Sequence, residues 1–290
     1  MPGADLAAAR GASYLALLLT AGLPLYGMIL GRRRLSGVMR PILAALAGAT
    51  LLASLWWGWA SVAAMAGLSL GAVDRVTALA VLDATPLGSV LEIRAIALVL
   101  LVLVLFVLPG TYRLPAAALC GAAALVTAAW TGHAGAGEGT AGMVRRLADA
   151  AHLLAAAIWL GALAVLLAGQ FGGASGDVQL RRLRGFAATG SGVVAVLLAT
   201  GLWNTFAILG LPLPAGVLKS PWAALLAAKL ILFVAMLGLA ASNRWRLVPA
   251  LERGVPGAAG RLRRSLLLEM LLGVLVIALV AVLGTLDPTA

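Results

Sequence analysis

The chain has 290 residues, of which 63% are hydrophobic and only 11% charged. A soluble domain carries about 25% charged residues, so an ordinary soluble fold is excluded and an integral membrane protein is expected. The net charge of +11 comes from basic residues in short clusters between apolar runs, which reads as topology signalling rather than nucleic-acid binding. A single cysteine, Cys120, excludes an internal disulfide and a cysteine-rich metal centre. The 35 glycines, with abundant alanine, suit closely approaching transmembrane helices.

The predicted architecture is all-α: one polytopic transmembrane bundle over residues 1–290, with eight helices. The first span covers about 12–30 and is read as a retained helix, not a cleaved signal peptide. Arg32-Arg33-Arg34 and Arg40-Pro41 lead into a second span, about 41–66, whose far end carries Trp56, Trp57 and Trp59 as an interfacial belt. In the polar connection Gly67–Ser89, residues Val76–Leu82 suit a short helix lying on the membrane. The third span, about 90–108, has Glu92 and Arg94 in its first turns and stops at Pro109-Gly110. The fourth, about 114–131, ends in Trp130-Thr131-Gly132-His133, and a Gly-rich loop with Glu138, Met143, Arg145 and Arg146 follows. The remaining spans are expected at about 147–168, 186–209, 221–241 and 265–286. Asn243-Arg244-Trp245-Arg246 and Pro249 are expected to terminate the seventh.

Eight spans return both termini to one side. The loops after spans one, three, five and seven hold fourteen Lys and Arg residues against six on the other side, with Lys229 inside the membrane. The positive-inside bias then makes the termini periplasmic.

The fifth span is the unusual one. It reads Asp149-Ala-Ala-His152 and, seven residues later, Trp159-Leu-Gly161. Asp149 and His152 are three apart and share a helix face, with Trp159 two turns further along it. An acid and an imidazole in hydrocarbon are costly unless they face protein, water or a metal. A plainer account has Asp149 capping the helix and His152 bonding a neighbouring backbone; it fits His152 less well, since the chain has only two histidines. In this topology His133 and His152 lie near the periplasmic face, with Trp59, Trp130, Trp203, Asn204, Glu92 and Met143 at a similar level.

These residues carry a resemblance. Thr131-Gly132-His133-Ala134, Asp149-Ala-Ala-His152, Trp159-Leu-Gly161, Arg184-Gly-Phe186, Thr200-Gly201, Leu218-Lys-Ser-Pro221, Lys229 and Asn243-Arg244 with Pro249 occur in the order and spacing of the copper resistance protein CopD family. The chain resembles that family over about residues 130–251. Residues before that match only in hydrophobic pattern, and Trp222-Ala223 replaces a Tyr-Gly pair. The resemblance implies a multi-pass protein of the bacterial inner membrane that handles copper and imports it, with a periplasmic copper carrier of the CopC type as partner.

Imidazole suits both copper oxidation states and thioether sulfur selects Cu(I). On that reading His133 and His152 are the leading ligands. Met143 and Met65 are the available thioethers, and Asp149 supplies an oxygen or orients His152. Trp159, Trp130, Asn204, Glu92 and Lys229 are pathway or supporting candidates. Lys229 is expected to pair with a carbonyl or with an acid such as Glu269. No phosphate-binding loop or aspartyl-phosphate motif is visible, so ATP-driven pumping is not expected; the leading reading is a transporter and not an enzyme, with a redox role as the runner-up. The alternatives are a membrane b-type cytochrome, with His133 and His152 on one haem, and a membrane partner for a periplasmic copper chaperone.

Overall fold

The computed structural model describes residues 2–131, 139–171, 176–210 and 216–287. His133 and Glu138 lie outside them. The long helices are α1 (Pro2–Ile29), α2 (Met39–Ala66), α4 (Pro86–Val107), α5 (Gly110–Val126), α6 (Gly139–Phe171), α7 (Gly176–Leu209), α8 (Pro221–Ser242) and α10 (Ala258–Leu283). A 3₁₀ turn extends α5 to Trp130. Two shorter helices, α3 (Arg75–Ala84) and α9 (Val248–Glu252), lie in connections. Among the described residues eight helices are long and apolar enough to cross a membrane, at the eight places expected.

Several helices overrun their expected limits. α1 begins ten residues early, α6 eight and α7 ten. The apolar count stops at polar residues such as Arg10, Met143-Val-Arg145-Arg146 and Arg181-Arg182, but the backbone does not. Where water is scarce each N–H and C=O must be paired within the segment, so the helix runs on. Met143, Arg145 and Arg146, read as loop residues, therefore form early turns of α6. Arg261, Arg263 and Arg264 likewise belong to α10.

Local signals set the firm boundaries. Gly67 adopts φ +68°, and the N–H groups of Gly67 and Leu68 bond back to Ala64 and Ala63, which closes α2. Asp74 accepts the Thr77 N–H at 2.7 Å and starts α3. This N–H, helped by the Thr77 side chain, holds the Asp74 carboxyl below the usual carboxylate range. The expected short helix is thus present, packed on α2 and α4. Ser220 caps α8 by accepting the Ala223 N–H at 3.2 Å, with Pro221 in the first turn. The chain does not stop at Asn243: it continues through a π-helical turn, Asn243–Leu247, into α9. A π turn at this point accommodates Pro249, which has no N–H to give to a regular ladder.

α1 and α6 pack against each other at the centre. Around α1 gather α2 and α5, with α4 behind them, and one apolar core joins this half through Leu17, Ala21, Leu43, Leu98, Leu101 and Leu125. α7, α8 and α10 close round the other side of α6 with a second core that includes Trp159, Leu163, Leu166, Met236, Leu262 and Leu266. Glycines permit the central contact: a Cβ on Gly22 would fall on the Ala157 carbonyl, and one on Gly161 would lie 2.9 Å from the Gly22 Cα. The start of α1 lies beside the end of α10, where a Cβ on Gly11 would sit 3.4 Å from that of Ala281. Both chain ends therefore share one end of the bundle, called here the terminal end.

Arg94, expected in the first turns of the third span, lies in the interior of the bundle. It is 2% exposed. Its Nε donates to Thr127 Oγ1 at 2.9 Å, and its Nη1 to Ser54 and Ser13 at 3.3 and 3.4 Å. The guanidinium stacks 5.0 Å over the Trp57 ring. Trp56 and Trp59 are exposed as a belt would be, but Trp57 is turned inward to hold Arg94.

A candidate metal-transport cavity at the terminal end

α6 presents Asp149 and His152 to α7, which runs antiparallel to it. Residues four apart on α7 meet residues three apart on α6, in register. Asn204 Nδ2 donates to Asp149 Oδ1 at 3.3 Å, and one turn deeper His152 Nδ1 lies 2.9 Å from Thr200 Oγ1. Asp149 is ten residues inside α6, so it is no cap. His152 lies thirteen residues from the start of α6, about 20 Å along the axis at 1.5 Å per residue, deeper than the short expected helix implied.

The hydrogen-bond network assigns the histidine tautomer. The Thr200 hydroxyl has one proton, and it donates that proton to the Val196 carbonyl at 2.6 Å. Toward His152 it acts as acceptor, so Nδ1 carries the hydrogen and the neutral ring keeps its Nε2 lone pair free. Thr200, not Asp149, thus orients the imidazole. The sequence offered Thr200 only as one half of a Thr-Gly pair. Its partner Gly201 faces the same ring, and a Cβ there would sit 3.5 Å from His152 Cε1.

A cavity of about 250 Å³ opens at the terminal end, with Arg10, Thr131 and Arg145 in its wall alongside Asp149, His152, Asn204 and Lys229. A deeper one of about 490 Å³ shares His152, Gly201 and Lys229 with it and reaches Trp159 and Phe233. The cap at Ser220 fixes where Lys229 falls, eight residues into α8, or about 12 Å. The acid that shares the cavity with Lys229 is Asp149. Glu269 is engaged elsewhere, by Trp159 Nε1 at 2.9 Å and Asn243 Nδ2 at 3.1 Å.

The structure thus gathers Asp149, His152, Asn204 and Lys229 around one space, with Trp159 at its floor. It does not gather the others there. Met65 and Met143 are 59% and 47% exposed, Trp130 is 40% exposed, and Glu92 is on the surface. Among the described residues no three of His, Cys, Asp and Glu come close enough to hold a metal, and nothing among them favours haem. His152 Nε2 and the second oxygen of Asp149 are the donors available to a metal in the cavity. Cys120 is a half-buried packing residue against the α1 core.

Comparison with known proteins extends the resemblance to the whole chain. Residues 1–143 match the family described as copper resistance protein D-like, N-terminal domain, and residues 180–283 match copper resistance protein D. The first half, expected to agree only in hydrophobic pattern, therefore has its own match. The copper resistance protein D of Pseudomonas syringae pv. tomato is 37% identical over 303 residues, covering 97% of this chain and 96% of that protein. The inner membrane protein YebZ of Escherichia coli (strain K12) is 31% identical over 168 residues, 57% of each chain. No solved structure matches. With eight membrane-length helices and a relative matched along nearly its whole length, the chain is a multi-pass membrane protein that belongs to the copper resistance protein D family.

Proposed function

We propose that the protein imports copper across the bacterial inner membrane as a transporter rather than an enzyme, taking the ion at the terminal end, which faces the periplasm. One observation carries this reading: His152 lies in the wall of a cavity open at that end, with Nδ1 bonded to Thr200 and Nε2 free. A preset neutral imidazole is what a copper ligand requires. Asp149, held by Asn204, supplies a negative oxygen in the same wall, and His133, close in sequence to the terminal end of α5, completes the expected pair. Met65 and Met143 lie on the surface, away from this wall.

The charge at the entrance bears on delivery. Arg10 and Arg145 line the outer cavity and Lys229 its depth, against Asp149 alone. Such a mouth repels a free cation and attracts an acidic surface. Copper handed over by a periplasmic carrier of the CopC type that presents an acidic surface fits that field better than copper captured from solution.

The test is copper titration of the purified protein and its His152→Ala and His133→Ala variants, with copper accumulation measured in cells. Each variant should lose binding and uptake while keeping the parent's melting profile. If both bind copper like the parent, the site is not at these imidazoles.

A further inference from the structure

A third cavity, of about 540 Å³, opens at the opposite end of the bundle, between α7, α8, α9 and the π turn; Arg184, Ser191, Asn243, Arg244 and Glu252 are in its wall. Trp159 lines both this cavity and the mid-membrane one that reaches His152. The two are separated at the Trp159 indole, and that indole is bonded to Glu269.

Glu269 is 1% exposed. Each of its oxygens accepts one N–H, from Trp159 and from Asn243. Both of these partners are neutral, so no cationic side chain is among the groups bonded to this buried carboxyl. An ionisable residue buried in the membrane interior is costly and marks a functional position. Two further oxygens are left over close by. Asn243 is 8% exposed, and with Nδ2 committed to Glu269 its Oδ1 is buried without a partner. Ser265 Oγ, one turn before Glu269 on the same face of α10, is also buried and unpartnered. Asn243 belongs to a π turn, a backbone form that recurs at functional sites. The Asn243 amide oxygen and the Glu269 carboxyl thus set oxygen donors side by side in the interior, the donor type that holds a cation.

We propose that Glu269 and Asn243 form a second cation-binding site at the divide between the two cavities, taking copper in its divalent state through oxygen donors. The proposal rests on the transport reading above and supplies the transit point it lacks. Carboxylate and amide oxygens suit the divalent ion, whereas Cu(I) favours sulfur. Asn243 gives access from the opposite-end cavity. Trp159, once its indole leaves Glu269, gives access from the other side. The arriving ion replaces the indole N–H as the partner of the carboxylate, so passage and gating use one oxygen.

The experiment uses the full chain in lipid nanodiscs with copper(II) sulfate as probe, read by bound-metal analysis and by pulsed electron paramagnetic resonance for coupling to imidazole nitrogen. A double variant, His133→Ala with His152→Ala, should still bind copper(II), but without that coupling. Adding Glu269→Gln should remove the remaining ion. If the double variant binds no copper while the parent does, the second site is refuted and the imidazole site stands. If the parent binds copper with no imidazole coupling and loses it on Glu269→Gln alone, the imidazole site is refuted and the second site stands. Copper that survives Glu269→Gln in the double variant overturns the proposal. Should Glu269→Gln disturb the melting profile, Asn243→Ala, which removes the orphaned oxygen and leaves the Trp159–Glu269 bond, gives the same decision.

Discussion

Replacing Gly161 by alanine should spread the two central helices and loosen α6, which carries Asp149 and His152. A Cβ on Gly161 would sit 2.9 Å from the Gly22 Cα, with other Gly22 backbone atoms closer still. Carbon atoms pack best at about 3.5–4.0 Å, so the axes of α1 and α6 must part by roughly 1 Å. The opposing atoms are backbone and cannot rotate away. Overpacking costs about 1–3 kcal/mol, and a backbone-on-backbone clash belongs at the upper end, about 3 kcal/mol. At about 2 °C per kcal/mol for a large domain, the melting temperature should fall by about 6 °C in the same detergent. Asp149, His152 and Trp159 ride on α6, so copper affinity should fall as well. Gly48→Ala is the control, since its Cβ meets nothing within 4 Å. If Gly161→Ala melts with the control and binds copper like the parent, the close α1–α6 approach is wrong.

Other expectations follow from single contacts. Thr200→Val removes the acceptor that fixes the His152 tautomer and should weaken copper binding by about 10–100-fold with little change in melting; an unchanged titration would show that Thr200 does not orient the ring. Thr127→Val leaves the Arg94 Nε without its 2.9 Å acceptor and should cost about 2 kcal/mol, the size of a hydrogen bond to a charged group. Ser54→Ala, with a 3.3 Å contact, should cost less by the same thermal denaturation. The Asp74 carboxyl is held below its usual value of 3.8, so its cap stabilises α3 above that pH and is lost as pH falls through the lower folded value. Hydrogen exchange at the α3 amides should therefore quicken in acid, and Asp74→Ala should show the fast rate at neutral pH.

The eight spans were legible because twenty apolar residues in a row admit few other readings. The helix ends were not, because internal pairing of the backbone carries a helix past the last apolar residue, as at Met143 and Arg261. The α6 constellation stood out because an acid and an imidazole are rare in such a run. Their partners did not: Thr200 and Asn204 are ordinary polar residues until antiparallel packing of α6 and α7 sets them opposite His152 and Asp149. Lys229 was visible, yet its cavity partner is Asp149 on α6 rather than Glu269 on α10, a choice that only the packing of α8 makes. Arg94 misled for a related reason. Near the start of an apolar run it counts as an interfacial charge, and nothing local reveals that Ser13, Ser54 and Thr127 converge on it from three other helices.

The buried Arg94 guanidinium also shapes the electrical profile of the bundle. It stays protonated under all ordinary conditions and has no carboxylate beside it among the described residues, so its field extends through the half built from α1, α2, α4 and α5. At an effective dielectric constant of 20, a divalent ion about 10 Å away would be repelled by about 3 kcal/mol, enough to lower its local occupancy more than a hundredfold. A cation is thereby disfavoured in the packing of that half.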